Sequence, residues 1–156
     1  MVPFGGWEMP LEYAGTIDEH LACRTTAVMF DVSHLGTVRV AGDGAFDRLQ
    51  AALSNDLGKI GPGRAQYTHL LDEADASVLD DIIVWWHPGS PDVFDVMPNA
   101  SNTERVISAI GGDDITAERA VIAVQGPDAR SSAGAAYPAL ADVGRFRVGS
   151  CELDGV

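Results

Sequence analysis

Two strand candidates near the middle of the chain, residues 65–71 and 78–86, constrain its fold most strongly. Residues 65–71 follow the Gly-Pro-Gly turn at 61–63, and residues 78–86 form a mainly apolar run. The acidic segment 72–77 joins them, so the pair predicts a hairpin. Helices and strands elsewhere mix without strict strand–helix alternation. We therefore predict an α+β fold with mixed or antiparallel sheets and flanking helices.

Capping signals locate two of the helices. Thr16 and Glu19 form a capping box ahead of apolar residues at helical spacing, which predicts a helix over 17–27. Ser101 and Glu104 form a second capping box that opens a short helix, and a Gly-Gly pair ends that helix. The same criteria predict an irregular segment over 3–14, a helix over 46–53, strands over 29–32, 37–40, 93–97 and 121–124, and one strand followed by a turn over 146–156.

Composition excludes several classes of function. The chain has 156 residues and a net charge of -13, which argues against a nucleic-acid-binding surface because that needs clustered Lys and Arg. No apolar run approaches the roughly 20 residues that span a bilayer, and the first residues lack the features of a signal peptide. We therefore expect a cytoplasmic protein that binds neither nucleic acid nor membrane.

Motifs for common chemistries are missing from the sequence. The two cysteines, Cys23 and Cys151, lie far apart, and the four histidines do not have metal-ligand spacing, so no metal site is predicted. There is no Walker A loop, GxGxxG motif or GxSxG motif, and the usual signals for nucleotide binding and serine hydrolysis are therefore missing.

The best candidate for chemistry is the pair of carboxylates at the start of the strand 78–86. Asp80 and Asp81 are adjacent, so alternation sends them to opposite faces of the sheet. One reading is a solvated hairpin edge. The other is a carboxylate that stabilises a cation or acts as a general base. The sequence alone leaves both readings open.

Other polar clusters are weaker signals when each is taken alone. The segment FDVSH at 30–34 is most simply a hydrogen-bonded turn, because a serine and a histidine this close along the chain do not make a hydrolase triad. The segment FGGW at 4–7 fits either a lid over a ligand or a packed N-terminal hook. Tyr67 and Asn99, considered singly, are a strand tyrosine and an asparagine at the entry to a helix.

Taken together and in order, these segments resemble one family, the aminomethyltransferases that form the T-protein of the glycine cleavage system. The resemblance extends over essentially the whole chain, and the order and spacing of the motifs are more specific than any single motif. The segments that carry it are FGGWEMPLEY, IDEHLACRTTAVMFDVSHLG, LSNDLGKIGPGRAQYTHLL, VLDDIIVWW, VMPNASNTERV and AVQGPDA.

The resemblance implies a reaction and three site residues. The family transfers a one-carbon unit from the aminomethylated lipoyl arm of its partner, the H-protein, to tetrahydrofolate, and ammonia is released. Asp80 matches the first aspartate of the LDD motif and is the predicted catalytic carboxylate, whereas Asp81 is predicted to be structural. Tyr67, in GxAxY, and Asn99, in the NA motif, are predicted to contact the folate.

Two differences from the family qualify these predictions. Ala76-Ser77 stands where the family has two glycines, so the turn before Asp80 is expected to differ slightly if a left-handed backbone is needed there. Family members are also longer, and their first two domains are interleaved along the chain. We therefore expect residues 1–156 to be an N-terminal part of the folate-binding region, with pieces of two interleaved domains, incomplete at both ends and inactive alone.

The sequence leaves two other functions open. A related folate-dependent demethylase would use much of the same site, and a folate-binding module without catalysis would keep the pocket alone. The full set of FDVSH and LDD motifs favours the aminomethyltransferase over the demethylase. The presence of Asp80 argues against a module without catalysis.

Overall fold

The computed structural model describes residues 1–152 of the chain, which contain antiparallel strands and four helices. No helix in this described part is both long and apolar enough to cross a membrane. In chain order the elements are β1 (Val2–Phe4), β2 (Trp7–Met9), α1 (Thr16–Thr25), β3 (Val28–Asp31), β4 (Val38–Ala41), α2 (Ala45–Ala52), β5 (Ala65–Leu71), β6 (Val78–Trp86), β7 (Val93–Met97), α3 (Thr103–Ile110), β8 (Asp113–Asp114), β9 (Ile122–Gln125) and α4 (Ala129–Ala136).

The chain divides into two compact units that alternate along the sequence. The first unit, which we call the split unit, consists of Met1–His34 and Ala120–Val143. The second, which we call the sheet unit, consists of Leu35–Arg119 together with the described residues from 144 onward. How these units correspond to the domains of longer relatives stays a prediction.

The sheet unit is built on a five-stranded antiparallel sheet with the strand order β5-β6-β7-β4-β8. Alternate residues of its strands are fully buried on one face, where they pack with residues of α2 and α3. This face contains Val40, Ile82 and Phe94, and the helices contribute Leu49 and Val106. We call it the inner face. The opposite face carries the other residues of each strand, and we call it the outer face.

The central hairpin has the predicted bounds. β5 and β6 pair antiparallel, with Tyr67 opposite Ile83 and His69 opposite Asp81. The strand predicted over 93–97 is also found with those bounds and pairs with β6. The structure confirms the α+β class with antiparallel sheets and flanking helices.

The split unit has a different construction. Its first hairpin pairs β1 with β2, and a second two-stranded sheet pairs β3 with β9, which lie far apart in sequence. Helix α1 contacts β3 and α4 contacts β9, but neither helix has a buried residue. All the residues of the hydrophobic core cluster in the described chain therefore belong to the sheet unit.

The N-terminal segment 3–14 is not wholly irregular as predicted, because it contains β1 and β2. Gly5 and Gly6 have φ of 57° and 87° and supply the left-handed backbone that a two-residue hairpin turn requires. Helix α1 also begins differently, with Thr16 inside the helix rather than capping it. Glu19 Oε1 instead accepts hydrogen bonds from the backbone N–H groups of Tyr13, Ala14 and Gly15.

Two further predictions are wrong. Ser101 lies within a short 3-10 turn, and α3 begins at Thr103 without a side-chain cap, so the second capping box does not form. The strand predicted within 146–156 is not found in the described part of that segment, where an isolated bridge joins Arg147 to Arg64. The rest of that segment, residues 153–156, lies outside the described residues.

Candidate functional site

Strand alternation in β6 sends the two adjacent carboxylates to opposite faces of the sheet, as predicted. Asp80 points to the inner face and is only 4% exposed, like the buried Ile82 and Val84 that follow it on that side. Asp81 points to the outer face and is exposed. The two carboxylates therefore meet different surroundings although they are neighbours in the chain.

Asp80 is held by three hydrogen bonds. Its Oδ1 accepts from the side-chain amides of Asn99 at 2.8 Å and Asn102 at 2.9 Å. Its Oδ2 accepts from the backbone N–H of Asn99 at 3.1 Å. Burial of a carboxylate is costly unless hydrogen bonds compensate, and these three donors supply that compensation.

Asp81 shares one of these partners but faces solvent. Its Oδ1 accepts from Asn99 Nδ2 at 2.8 Å, and its Oδ2 accepts from the Tyr67 hydroxyl at 3.1 Å. Desolvation, together with the hydrogen bond to Asp81 and its negative charge, raises the pKa of Tyr67 above its ordinary value. Tyr67 therefore stays a neutral hydrogen-bond donor at physiological pH, and its ring is 46% exposed.

The position of Asn99 depends on a close backbone contact. Asn99 lies after the end of β7 with an extended backbone, and the 3-10 turn Ala100–Asn102 follows it. Gly36 packs against this segment so closely that a Cβ there would overlap Thr103 Oγ1 and lie 2.8 Å from Pro98 Cγ. Only glycine leaves room for this packing, which keeps Asn99 beside the two carboxylates.

The structure thus brings the three predicted site residues, Asp80, Tyr67 and Asn99, into one hydrogen-bonded group. Together with Asp81 they form what we call the carboxylate cluster. Sequence reasoning missed Asn102, although its position one helical turn after Asn99 was the available signal. The catalytic and folate-binding roles of the predicted residues are not fixed by this geometry and stay predictions.

In the turn before Asp80, Ala76 adopts a left-handed backbone conformation that glycine favours. Ala76 has φ of 58°, which lies in the left-handed region, and Asp72 O accepts its N–H at 2.9 Å. A non-glycine residue pays roughly 1–2 kcal/mol for this conformation. The Ala76-Ser77 difference therefore adds strain to the turn while β6 keeps its alternation through Asp80 and Asp81.

The FDVSH segment lies in the split unit and makes one local hydrogen bond and one long-range hydrogen bond. Asp31 Oδ1 accepts from the backbone N–H of Ser33 at 2.9 Å, and Ser33 Oγ accepts from the backbone N–H of Val121 at 3.0 Å. Hydrogen bonds to Ser33 lower the pKa of Asp31. These contacts confirm the predicted hydrogen-bonded turn.

The outer face of the sheet unit carries a second polar group, which we call the arginine cluster: Arg39, His87, Asp95 and Arg119. Asp95 is 2% exposed. Its two oxygens accept from Arg39 Nε at 2.9 Å and Arg39 Nη2 at 3.0 Å. His87 Nε2 lies 2.9 Å and Arg119 Nη1 3.0 Å from Asp95 Oδ2.

The charged residues of this cluster shift one another's pKa values. Burial pushes the pKa of Asp95 upward, but hydrogen bonds from Arg39 and His87 and their charges outweigh burial and leave it below its ordinary value. The hydrogen bond to Asp95 raises the pKa of Arg39. Sequence reasoning missed this cluster because its members are up to tens of residues apart and only the strand register brings them together.

A groove of about 700 Å³ opens elsewhere on the sheet unit, between the helices and the end of the central hairpin. Leu70, Leu79, Arg105 and Ser108 are among its lining residues. None of the four members of the carboxylate cluster lines it, although Leu79 and Arg105 of its lining hydrogen-bond Asn102, which also binds Asp80.

Comparison with known proteins gives a consistent match. The family described as GCVT N-terminal domain matches residues 1–152. An aminomethyltransferase of Mycobacterium bovis is 49% identical over 132 residues, which cover 80% of this chain and 35% of that protein. An aminomethyltransferase of Geobacillus thermodenitrificans is 43% identical over 136 residues, which cover 82% of this chain and 36% of that protein.

A solved structure matches as well. The glycine cleavage system aminomethyltransferase T from Bartonella henselae superposes with a TM-score of 0.72 at 31% sequence identity. The match covers 86% of this chain and 39% of that chain. The chain thus spans little more than a third of the length of the relatives it matches.

Proposed function

Because the chain belongs to the family of the GCVT N-terminal domain, we propose that it supplies the carboxylate cluster of an aminomethyltransferase of the glycine cleavage system. The proposed reaction moves a one-carbon unit from the aminomethylated lipoyl arm of the H-protein to tetrahydrofolate and releases ammonia. The observation that carries the proposal is the joining of Asp80, Asp81, Asn99 and Tyr67 in one hydrogen-bonded group. The cytoplasm is the compartment we propose for this reaction.

The chemistry explains why a carboxylate belongs in such a site. When the carbon–sulfur bond of the aminomethyl group breaks, the electron pair leaves with the thiolate and the carbon acquires iminium character. A nearby carboxylate stabilises that positive charge. A carboxylate also orients the attacking amine of the folate or accepts its proton as the new carbon–nitrogen bond forms.

The geometry supports a division of roles between the two aspartates. From the LDD motif, Asp80 was predicted to be the catalytic carboxylate and Asp81 to be structural, and the geometry tests neither role but favours a different proposal. The oxygens of Asp80 are buried and bound by Asn99 and Asn102, whereas Asp81, although it accepts hydrogen bonds from Asn99 and Tyr67, is exposed. We therefore assign contact with the reacting carbon to Asp81, and to Asp80 the positioning of Asn99.

Tyr67 and Asn99 complete the proposed folate site. The exposed ring of Tyr67 offers an aromatic surface to a ring of the folate, and its hydroxyl is directed at Asp81. Asn99 Nδ2 divides its donors between Asp80 and Asp81, which leaves its side-chain oxygen available as an acceptor for folate N–H groups.

The two aspartates are tested separately in the complete gene product. In Asp81→Asn we expect transfer from aminomethylated H-protein to fall roughly 100- to 1,000-fold, because an amide cannot supply the charge, while tetrahydrofolate affinity changes little. Asp80→Asn should reduce activity less than Asp81→Asn, through the loss of folded protein and the weaker positioning of Asn99. Asp47→Asn, an exposed change on α2, is the matched control.

The outcomes separate the assignments. Full activity in Asp81→Asn, with activity lost in a folded Asp80→Asn protein, would return the catalytic role to Asp80. Full activity in both variants would refute a catalytic carboxylate in this cluster. Loss of activity in Asp81→Asn with the tetrahydrofolate dissociation constant preserved would support both the reaction and the role of Asp81.

A further inference from the structure

The arginine cluster and the carboxylate cluster lie on the same sheet. Every second residue of β6 lies on the outer face, namely Asp81, Ile83 and Trp85. Trp85 is opposite Asp95 of β7. Arg39 of β4 stands opposite Asp95 on the other side. An open strip, which includes the 39% exposed Ile83, therefore connects the two clusters.

The arginine cluster keeps unused hydrogen-bond donors. The carboxylate of Asp95 pairs with the guanidinium groups of both Arg39 and Arg119. The negative charge of Glu118 also acts on Arg39. Among the described residues, Arg119 donates a hydrogen bond only through Nη1 and Arg39 only through Nε and Nη2. Both side chains therefore present further N–H groups to an incoming acceptor.

The free donors are held in place before any ligand arrives. Arg39 binds Asp95 through two parallel hydrogen bonds, which fix the plane of its guanidinium group. The Arg119 guanidinium carbon lies 5.6 Å from the centre of the Trp85 ring, so it is placed by a cation–π contact as well as by Asp95. Little side-chain entropy is left to lose when an anion binds.

The separation of the clusters matches one part of the folate. Trp85 follows Asp81 by four residues, about 13 Å along the strand, and Asp95 is about 4.8 Å further across the sheet. In tetrahydrofolate, eight to ten bonds join the N10 nitrogen to the glutamate carboxylates, which spans roughly 10–12 Å when extended. Charge-assisted hydrogen bonds of about 2.8 Å at the two ends of the ligand account for the remaining few ångströms.

We propose that the arginine cluster binds the carboxylates of the glutamyl tail of tetrahydrofolate. This inference rests on the proposed function, because it assumes that the reacting end of the folate lies at Asp81. The p-aminobenzoyl ring then crosses the strip at Ile83, between the two clusters. Asp95 and Glu118 balance the charge of the two guanidinium groups, so the attraction for an anionic tail comes from their unused N–H donors rather than from surplus positive charge.

The test measures whether Arg119 recognises the tail. Binding of tetrahydrofolate and of tetrahydropteroate, which lacks the glutamate, is measured calorimetrically with the complete gene product and its Arg119→Gln variant. We expect the variant to bind tetrahydrofolate roughly tenfold more weakly, as for the loss of one charge-assisted hydrogen bond, and tetrahydropteroate as the wild type does. Arg48→Gln on α2, where Arg48 contacts only backbone oxygens, is the matched control.

Each outcome has a distinct meaning. Equal weakening of both ligands in Arg119→Gln, or no change in either, would overturn the tail site while leaving the proposed function standing. Weaker binding of the H-protein alone would overturn it in favour of a protein-docking role. If the wild-type protein binds neither compound, the proposed function itself fails.

Discussion

Replacing Asp80 by asparagine should destabilise the sheet unit although the side chain keeps its shape. Three donors converge on the carboxylate: the Nδ2 groups of Asn99 and Asn102 and the backbone N–H of Asn99. If the asparagine oxygen takes the Oδ1 position, two hydrogen bonds survive but lose their charge assistance. The new NH₂ group then faces the backbone N–H of Asn99 in a buried position, and because both groups are donors, no hydrogen bond forms between them.

The magnitude follows from these contacts. Hydrogen bonds to charged groups contribute roughly 1.5–3 kcal/mol and neutral ones roughly 0.5–1.5, so two weakened bonds cost about 2 kcal/mol. The unmet donor adds roughly 1–3 kcal/mol. We therefore expect a loss of about 3–5 kcal/mol in the free energy of unfolding. In the exposed Asp81→Asn variant the loss should stay near 0.5 kcal/mol, as is usual for surface changes.

Hydrogen-exchange mass spectrometry on the complete gene product measures this difference locally. In peptides that cover β6 and β7, Asp80→Asn should accelerate amide exchange by roughly 100-fold or more, since each 1.4 kcal/mol is a factor of ten. Asp81→Asn should change it by less than about threefold. Wild-type protection in the Asp80→Asn peptides would refute the argument that the buried charge is held by these donors.

Three further predictions concern packing and charge. Gly36→Ala should cost about 1–3 kcal/mol in urea unfolding through overlap with Thr103 Oγ1, and adding Thr103→Ala should restore part of that loss. Phe94→Ala should cost about 3–5 kcal/mol in the same assay, because Phe94 is fully buried and its ring centre lies 4.8 Å from that of Trp86. The pKa of Asp95 is lower in the folded protein than the value of about 4 in the unfolded chain. The ionised carboxylate therefore stabilises the fold above that unfolded pKa, and this stabilisation is lost as the pH falls through the folded pKa. The difference in urea midpoint between wild type and Asp95→Asn should therefore shrink in acid; a constant difference from pH 7 to pH 3 would contradict this.

The sequence predicts those features that depend on neighbours along the chain. The hairpin of β5 and β6 follows from two strand-like segments with a short acidic turn between them, and the alternation of side chains along a strand separates Asp80 from Asp81. Gly111 ends α3 as predicted, with φ of 70°. Each of these depends on a period or a backbone conformation that a few residues determine.

Features that depend on register between distant strands could not be predicted in this way. Nothing in the sequence links Arg39 to Asp95, because only the pairing of β4 with β7 brings them together. The capping box at Thr16 failed for a related reason, because Glu19 found three backbone donors in the segment before the helix. Asn99 joined the candidate site by resemblance to a family, and only the fold shows that it bridges two carboxylates.

The pairing of β3 with β9 has a consequence for the order of folding. Closing a loop of roughly 90 residues costs about 4 kcal/mol of chain entropy, more than a four-residue strand pair recovers alone. In the folded sheet unit, Thr37 N–H donates to Thr116 Oγ1 and Thr37 O accepts from Ile115 N–H. These hydrogen bonds hold the two ends of its continuous segment next to each other, so the loop is already closed when β3 and β9 pair. The split unit should therefore form after the sheet unit. A core lesion such as Phe94→Ala should expose the amides of β3 to exchange, although no residue of β3 is altered.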